Sequence, residues 1–189
     1  MIKYPLLRQQ IERVIQLTDD EYVYIENHFT EKKLRRHQFL VQEGESVSKE
    51  YFVLEGCLKT YHLSNEGKES ILQFALEDWW TTDFEAYFKQ APATVYIDCL
   101  EESRLLGLTL DDREKISREM HKMEHYFRVI SNAHSVALHR RVLSLLTMDA
   151  KQRHDQLLEL YPSFFQRIPK KWIAAYLGVS RETLSRFKK

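Results

Sequence analysis

The sequence predicts an α+β fold: an N-terminal antiparallel β-roll (a double-stranded β-helix), then a long helix, then a helical end with a helix-turn-helix. Three features support this prediction. Short apolar segments separated by glycine turns occupy the region from about residue 34 to residue 110. Apolar residues at heptad spacing follow, and the C-terminal segment combines a glycine turn with clustered cations. The predicted domains are a roll over 1–110, a helix over 111–137 and a helix-turn-helix domain over 138–189.

The composition is that of an ordinary globular protein. Of the 189 residues, 43% are hydrophobic and 30% are charged, which is close to the average for such proteins. No apolar run approaches the roughly 18 residues that a membrane span requires, and the N-terminus lacks the layout of a signal peptide. Cys57 and Cys99 are too few for a disulfide framework and lack CxxC spacing. We expect a cytoplasmic protein with no membrane partner, no bound metal and no cofactor.

The periodicity of the sequence changes near residue 34. Before it, apolar residues from Leu7 to Phe29 recur every three or four positions, which predicts a short helix. After it, segments rich in β-branched and aromatic residues alternate with turns, which predicts antiparallel strands. The predicted strands are 39–41, 51–56, 57–63, 70–76, 93–100 and 104–109, with turn glycines at Gly44, Gly56 and Gly67.

A heptad pattern follows the roll. Its apolar positions are spaced alternately four and three residues apart, which suits a helix that pairs with a second copy of the chain. The positions of this predicted dimer seam are Ile116, Met120, Met123, Phe127, Ile130, His134 and Ala137. A helix that lies on its own roll would show a similar apolar stripe. We favour self-association because the period stays at about 3.5 residues.

Charge is divided unevenly along a chain whose formal net charge is zero. From Arg167 to Lys189 there are seven cations and one anion, so this segment carries +6 and the rest of the chain carries −6. Such a split is typical of a nucleic-acid-binding end on an acidic body. A solvated basic helix would show the same charge, so the residue pattern within the segment must distinguish it from a nucleic-acid-binding end.

The C-terminal sequence IPKKWIAAYLGVSRETLSRFKK is predicted to form two helices joined by a tight turn. Pro169 suits a first helical turn, and Gly178 supplies the left-handed conformation that ends a helix. Ser180 is a favourable N-cap for the second helix. Ala174 is small where two crossing helices approach each other, and Leu184 falls on the inward face of the second helix.

The outward face of the second helix carries the side chains that base reading requires. Arg181 and Arg186 can bond guanine, and Glu182 can accept from cytosine, in the major groove. Other cations and hydroxyls are placed to contact phosphates, which position a protein without reading sequence. The predicted phosphate contacts are Lys170, Lys171, Thr183, Ser185, Lys188 and Lys189. A helical hairpin with no role on DNA is the alternative.

This C-terminal segment resembles the helix-turn-helix of the Crp/Fnr family, the relatives of the bacterial cAMP receptor protein. The stretch 181–186 is similar to that family's recognition helix, and the stretch 40–70 is similar to its β-roll opening. The resemblance implies a homodimeric bacterial transcription regulator. Its two recognition helices would enter successive major grooves of a palindromic operator in double-stranded DNA. The resemblance also implies RNA polymerase as a further partner.

The chain departs from the cAMP-binding members of that family in the ligand-binding cassette. Thr81 and Thr82 stand where those members have a Gly-Glu pair, and Ala91 and Pro92 stand where they have an Arg-Ser pair. Without the arginine, a cyclic phosphate loses a charge-assisted pair worth roughly 1.5–3 kcal/mol. We therefore expect no cAMP binding.

The same degenerate pocket is unusually aromatic. Trp79 and Trp80 precede the two threonines, and Phe84, Tyr87 and Phe88 follow them. Such side chains either fill the vacated pocket or line an apolar pocket for a different small ligand, which would make the protein an effector-gated regulator. Filling is the commoner outcome for aromatic side chains, and we favour it.

Two further departures concern the wing and the possibility of an enzyme. Family members continue beyond the recognition helix into a β wing, whereas this sequence stops at Lys189, so we expect a winged-helix-like domain with a short or missing wing. A cupin-like β-roll enzyme would need clustered histidines on facing strands, and residues 34–110 contain only His37 and His62. We expect no enzyme activity. A non-DNA-binding interaction protein is a further alternative.

Overall fold

The computed structural model describes residues 2–187, which divide into two compact units. The first unit contains residues 2–60 and 74–131, and the second contains residues 61–73 and 132–187. The first unit therefore holds most of the roll and the helices around it. The second unit holds the tip of one hairpin of the roll and the C-terminal helices.

Two four-stranded sheets form the roll. The strands are β1 (Thr30–Leu34), β2 (Phe39–Val41), β3 (Lys49–Glu55), β4 (Leu58–Leu63), β5 (Glu69–Ala75), β6 (Trp80–Thr81), β7 (Tyr96–Cys99) and β8 (Ser103–Thr109). Their order is β1-β8-β3-β6 in one sheet and β2-β7-β4-β5 in the other. The pairs β1–β8, β3–β8, β3–β6 and β2–β7 are antiparallel. The predicted antiparallel β-roll is confirmed.

Helices precede, interrupt and follow the roll. They are α1 (Pro5–Glu12), α2 (Asp19–Glu26), α3 (Phe84–Lys89), α4 (Leu110–Glu119), α5 (His121–Thr147), α6 (Ala150–Leu160), α7 (Pro162–Arg167), α8 (Lys170–Leu177) and α9 (Arg181–Arg186). The order of strands followed by helices gives the mixed α+β class that the sequence predicts.

The N-terminal apolar residues form two helices where the sequence predicted one. α2 begins after Thr18, whose hydroxyl accepts from the Glu21 backbone N–H while the Glu21 carboxylate accepts from the Thr18 N–H. This reciprocal capping box starts a new helix. The apolar faces of both helices are buried, as the periodicity predicts, and the break between the helices is the difference.

The sequence patterns missed three short elements: β1, β6 and α3. β1 pairs with β8, yet only Leu34 of its five side chains is buried. A strand with four exposed polar residues lacks the apolar alternation that marks a strand. α3 follows Asp83, whose carboxylate accepts from the Ala86 N–H at 3.1 Å and so caps the helix.

Two apolar clusters form the core of the first unit. The interior of the roll includes Val41, Tyr51, Val53, Leu58, Tyr87, Ile97 and Leu105. The second cluster combines strands β3 and β8 with helices α1, α2, α4 and α5, and it includes Leu7, Ile25, Phe52, Leu106, Ile116, Tyr126 and Phe127. Burial of this apolar surface is the main force that holds the helices on the roll.

Gly56 is required at the turn from β3 to β4. Its φ is +111°, a conformation that other residues rarely adopt. A Cβ at this position would lie 2.2 Å from Ser103 Oγ and 2.8 Å from the Glu102 carbonyl oxygen. The close approach of two backbone segments therefore accounts for one of the predicted turn glycines.

The heptad segment forms two helices instead of one continuous helix over 111–137. α4 ends at Glu119, Met120 has an extended backbone with φ −134° and ψ 90°, and α5 begins at His121. α5 then continues to Thr147, beyond the predicted end of the helix.

The first five positions of the predicted dimer seam pack on the roll of their own chain. Ile116, Met123 and Phe127 are buried in the second cluster. Met120 and Ile130 are half-buried and pack against the same cluster. Ile116, Met123 and Phe127 therefore pack within their own chain, and the dimer seam as a whole stays a prediction. An apolar stripe is satisfied equally well by a sheet of the same chain. His134 is half-buried and Ala137 is exposed.

Candidate nucleic-acid interface

The helices α8 and α9 have the geometry of a helix-turn-helix. α8 ends at Gly178, whose φ is +69° and whose N–H bonds back to the Ala174 and Ala175 carbonyls. Ser180 then caps α9, because its Oγ accepts from the Thr183 N–H at 3.1 Å. The glycine turn and the serine cap are where the sequence predicts them.

The inward sides of α8 and α9 are small and apolar. Ala174 and Leu184 are 2% and 5% exposed, as their predicted inward positions require. The end of α9 packs on α6, where the ring centroids of His154 and Phe187 lie 5.4 Å apart. Packing therefore anchors α9 on one side.

The outward side of α9 carries the predicted base-reading residues. Arg181, Glu182 and Arg186 are all exposed. Hydrogen bonds from its own backbone N–H and from Ser180 lower the pKa of Glu182 below its ordinary value, and the two arginines lower it further. Two guanidinium groups and an ionised carboxylate thus share one solvent-facing surface, which we call the reading face.

The predicted phosphate contacts differ in their exposure and in their hydrogen bonds. Lys170 and Lys171 are exposed at the start of α8, which follows Pro169 as its N-cap. Thr183 is half-buried, and its hydroxyl lies 3.2 Å from Ser180 Oγ. The Ser185 hydroxyl donates its proton to the Arg181 carbonyl at 3.0 Å. The hydroxyl oxygen of Ser185 can still accept a hydrogen bond. The predictions for Lys188 and Lys189 lie outside the described residues.

Two arginines outside the predicted site hold the C-terminal end of α8. Arg141 on α5 donates to the Tyr176 carbonyl at 3.1 Å. Arg153 on α6 donates to the Leu177 carbonyl from Nε at 3.2 Å and from Nη2 at 3.0 Å. Neither arginine belongs to a motif, and no spacing relates it to the helix that it holds. The sequence therefore contained no signal for them.

The threonines of the degenerate pocket are buried. Thr82 donates from Oγ1 to the Lys49 carbonyl at 3.0 Å, and the Thr81 hydroxyl is buried with no hydrogen-bond partner among residues 2–187. Ala91 donates its N–H to the Ala86 carbonyl at 3.0 Å, and Pro92 forms an isolated bridge with Ser46. These side chains supply no cation for a cyclic phosphate.

The aromatic side chains of this segment fill space in the first unit. Tyr87 is fully buried in the roll interior, and Trp79 packs against the same cluster. Trp80 packs in the second cluster, where its Nε1 donates to Gln10 Oε1 at 3.2 Å. Both observations favour filling over an open apolar pocket.

The described part of the chain offers little for metal chemistry. No group of three or more potential metal ligands occurs within residues 2–187. Cys57 and Cys99 are free and buried, and burial raises the pKa of the Cys99 thiol to about 11. The Cys99 thiol is therefore protonated near neutral pH, and both cysteine side chains are inaccessible. No described helix is long and apolar enough to cross a membrane.

Comparisons with known proteins agree with this geometry. The model of the cyclic nucleotide-binding domain family matches residues 31–119. The regulatory protein HlyX of Actinobacillus pleuropneumoniae is 24% identical over 182 residues, which cover 90% of this chain and 75% of that protein.

Two solved structures share the fold. FixK2 from Bradyrhizobium japonicum superposes with a TM-score of 0.73 at 19% identity and covers 84% of this chain and 82% of its own. The catabolite activator protein of Thermus thermophilus superposes with a TM-score of 0.56 at 18% identity, over 90% of this chain and 82% of its own.

The β-roll, the helices that follow it and the relatives all agree with the resemblance drawn from the sequence. The matched domain lies on the roll, and the relatives extend over the C-terminal helices as well. Along most of its length the chain is therefore similar to transcription regulators of the Crp/Fnr type.

Proposed function

We propose that this chain is a sequence-specific DNA-binding regulator that acts as a homodimer on a palindromic operator and does not use cAMP as its effector. This proposal rests on the chemistry of the reading face. Arg181, Glu182 and Arg186 are exposed on a helix whose opposite side is packed. Arginine forks match guanine and a carboxylate matches the cytosine amino group, so this face has the chemistry of direct base readout.

The surroundings of the reading face support binding to double-stranded DNA. Lys170 and Lys171 are exposed at the start of α8 and can contact phosphates. Each neutralised phosphate releases counterions, so we expect affinity to fall steeply with salt concentration. The filled roll and the missing phosphate-binding arginine support a regulator that binds DNA without cAMP.

Selection from a randomised duplex library tests the proposal directly. The full-length protein is used at near-physiological salt without an effector. We expect enrichment of one palindrome, and we expect added cAMP to leave the affinity for it unchanged. Enrichment only in the presence of some other small molecule would support the effector-gated alternative. A failure to enrich any sequence, with or without effectors, would count against a sequence-specific regulator.

Substitution of Arg181 tests base reading. We expect Arg181→Ala to weaken binding to the selected duplex by about 1–3 kcal/mol and to relax the preference at one base pair, because a bidentate guanine contact is lost. Fluorescence anisotropy on the selected duplex and its single-base variants measures both effects.

Lys170→Ala is the matched control for Arg181→Ala, because it removes one positive charge from a predicted phosphate contact. We expect it to weaken binding to selected and random duplexes by the same factor. An equal loss on both duplexes for Arg181→Ala would remove its base-reading role.

The C-terminal half of α5 supports the homodimer. Its apolar side chains are 45% to 77% exposed in a single chain. They are Val136, Leu138, Val142, Leu143, Leu145 and Leu146, which we call the α5 apolar face. An exposed apolar surface of this kind marks an interaction site. We propose a second copy of this chain as its occupant because Crp/Fnr regulators form dimers and because Leu138, Val142 and Leu145 have the four-three spacing of paired helices.

A charge on the α5 apolar face is expected to separate the dimer. Leu145→Asp would place an unpaired carboxylate in an apolar contact, so it should convert the dimer to monomer in sedimentation velocity. His139→Asp adds the same charge at an exposed position of the same helix and should leave the dimer intact. An unchanged sedimentation coefficient for Leu145→Asp would mean that dimers form elsewhere.

A further inference from the structure

Two neighbouring side chains of α6 contact the chain on either side of α9. Arg153 contacts Leu177, the last residue of α8, and His154 contacts Phe187, the C-cap of α9. All four residues lie in the second unit, and none of them belongs to the reading face. The helix that carries the reading face is therefore held by α6 at a point before it and at a point after it.

Arg153 holds the chain just before the turn. Its Nε and Nη2 donate to the Leu177 carbonyl at 3.2 and 3.0 Å, and its Nη1 donates to the Met148 carbonyl at 2.6 Å. The carbonyls of the last turn of a helix have no partner within that helix, and its dipole favours a cation at this end. Arg153 thus fixes the end of α8 immediately before the turn at Gly178.

His154 holds the chain at the other end of α9. The residue is only 5% exposed. The centroid of its ring lies 5.2 Å from that of Phe165 on α7 and 5.4 Å from that of Phe187. Aromatic pairs at such distances attract each other beyond the effect of burial alone. Phe187 is therefore held against α6.

A hydrogen bond fixes the orientation of the His154 ring. Its Nδ1 lies 2.9 Å from Asp155 Oδ1. The pKa of Asp155 lies below its ordinary value, chiefly because of Lys151 and also because of His154. The carboxylate is therefore ionised and accepts from the Nδ1–H of the ring. Burial and this hydrogen bond together give Phe187 a fixed surface to pack on.

The shortness of α9 makes its orientation depend on these contacts. The helix has six residues, so it is about 9 Å long, and a helix this short has little stability of its own in water. Leu184 is buried on its inward side. A helix held near its middle can still tilt, whereas contacts before and after the helix resist the tilt.

We propose that Arg153 and His154 are positioning residues that hold α9 at both ends and thereby set how well the protein distinguishes its operator from other DNA. This inference rests on the proposed DNA-binding function. Base readout requires side chains in register with the base edges, whereas binding to random DNA is mainly electrostatic. Loss of either end contact should therefore weaken specific binding and spare binding to random DNA.

The first experiment measures the ratio of the affinities for selected and random duplexes by fluorescence anisotropy. We expect His154→Ala to lower this ratio by about tenfold or more, within the range for one mismatched base pair, and to leave the affinity for random duplex unchanged. Leu158→Ala is the matched control, because Leu158 lies one turn further along α6 and is 43% exposed. An unchanged ratio in His154→Ala, or an equal fall in Leu158→Ala, would overturn the role of His154.

The pattern of lost base preferences separates positioning from direct contact. On single-base variants of the selected duplex, Arg181→Ala is expected to relax the preference at one base pair. His154→Ala should relax it at several base pairs together, because the whole reading face moves. Relaxation at a single base pair would contradict a positioning role. A lower active fraction with an unchanged ratio would indicate partial unfolding alone, and it would contradict that role as well.

Two further variants examine the ring contact from its two sides. His154→Phe keeps an aromatic ring and should keep the ratio, so a loss as large as that of His154→Ala would refute the ring contact. Phe187→Ala should lower the ratio, and the double variant with His154→Ala should be no worse than either single variant, because both remove one contact. Additive losses would refute it too. If His154→Ala does not fold, as judged by circular dichroism, Phe187→Ala replaces it.

Arg153→Gln tests the contact before α9. We expect it to lower the ratio by about the same factor as His154→Ala, within the range for one mismatched base pair. Lys151→Gln is the matched control, because it removes the same charge from an exposed position of α6. An equal fall in both variants would make the effect one of net charge and overturn the role of Arg153. If Arg153→Gln does not fold, Arg153→Lys replaces it, since lysine lacks the fork that reaches both carbonyls.

Failure of this inference is distinguishable from failure of the proposed function. If the wild-type protein selects no duplex, the proposed function fails before any variant is compared. If the wild-type protein discriminates and the folded variants of Arg153 and His154 discriminate equally well, the proposed function stands and the positioning role is refuted.

Discussion

Arg113→Met is expected to lower the free energy of unfolding by about 3–5 kcal/mol at about pH 8, because it leaves a buried carboxylate without its partner. Arg113 Nη1 lies 2.5 Å from Glu50 Oε1, and the two side chains are 12% and 2% exposed. The guanidinium also lies 4.2 Å from the centroid of the Phe127 ring. Glu50 therefore depends on one cation within an otherwise apolar site.

The pH dependence of this loss follows from the pKa of Glu50. Burial raises that pKa, and Arg113 opposes the rise. Without Arg113 the pKa rises further, so the folded variant binds a proton that the unfolded chain releases. Stability that depends on a raised carboxyl pKa is present at low pH and is lost as the pH rises through the folded-state pKa. The deficit of Arg113→Met should therefore be larger at about pH 8 than at about pH 5.

Urea denaturation at the two pH values measures this deficit, at one protein concentration because the stability of a dimer depends on it. Arg104→Met is the matched control. Arg104 pairs with Glu31 at 3.1 Å, but its side chain is 45% exposed, so the loss should be about 1 kcal/mol or less. A double variant, Glu50→Leu with Arg113→Met, should recover most of the stability. An equal deficit at both pH values would contradict the role assigned to Glu50.

Tyr87→Ala is expected to cost about 3–5 kcal/mol and to open a cavity in the roll. Tyr87 is fully buried in the roll interior, and its hydroxyl lies 3.4 Å from the Leu108 carbonyl oxygen. It belongs to the aromatic segment at the degenerate ligand pocket. If this segment fills the pocket, removal of the ring should create an apolar space of about the size of a phenol.

Thermal unfolding with and without p-cresol tests this expectation. A ligand that binds only the folded state raises the melting temperature, and dry apolar cavities of this kind bind small aromatic molecules. We expect p-cresol to stabilise Tyr87→Ala and to leave the wild-type protein unchanged. Phe88→Ala on the same helix is the control, because that ring is 47% exposed and leaves no cavity. Stabilisation of the wild-type protein by p-cresol would indicate a pocket that is already open.

Local features of the fold were predictable because short-range chemistry decides them. Gly178 and Ser180 end one helix and start the next through their own conformations and hydrogen bonds, so the turn could be located from the sequence. The strands β2, β4 and β5 were also predictable from the sequence, because apolar residues recur along them and most of these residues are buried. β1 escaped prediction because its polar residues form a strand only through pairing with β8.

The heptad segment shows why an apolar stripe does not identify its partner. The spacing of Ile116, Met123 and Phe127 required a surface to pack on, and a sheet of the same chain provides it. Burial energy is non-directional, so periodicity alone cannot distinguish a sheet from a second helix. The exposed residues of the α5 apolar face could be assigned only once the orientation of α5 was known.

By itself, the sequence determined the β-roll, the helix-turn-helix and the residue types of the reading face, because each depends on residue types at short spacing. The missing phosphate-binding arginine follows from the family resemblance. Only the tertiary structure decided which face of α5 is free, that Tyr87 fills the roll, and that Arg141 and Arg153 hold the end of α8. Those contacts join residues that are distant along the chain. Their geometry depends on how the whole chain folds, and no local pattern of residues records it.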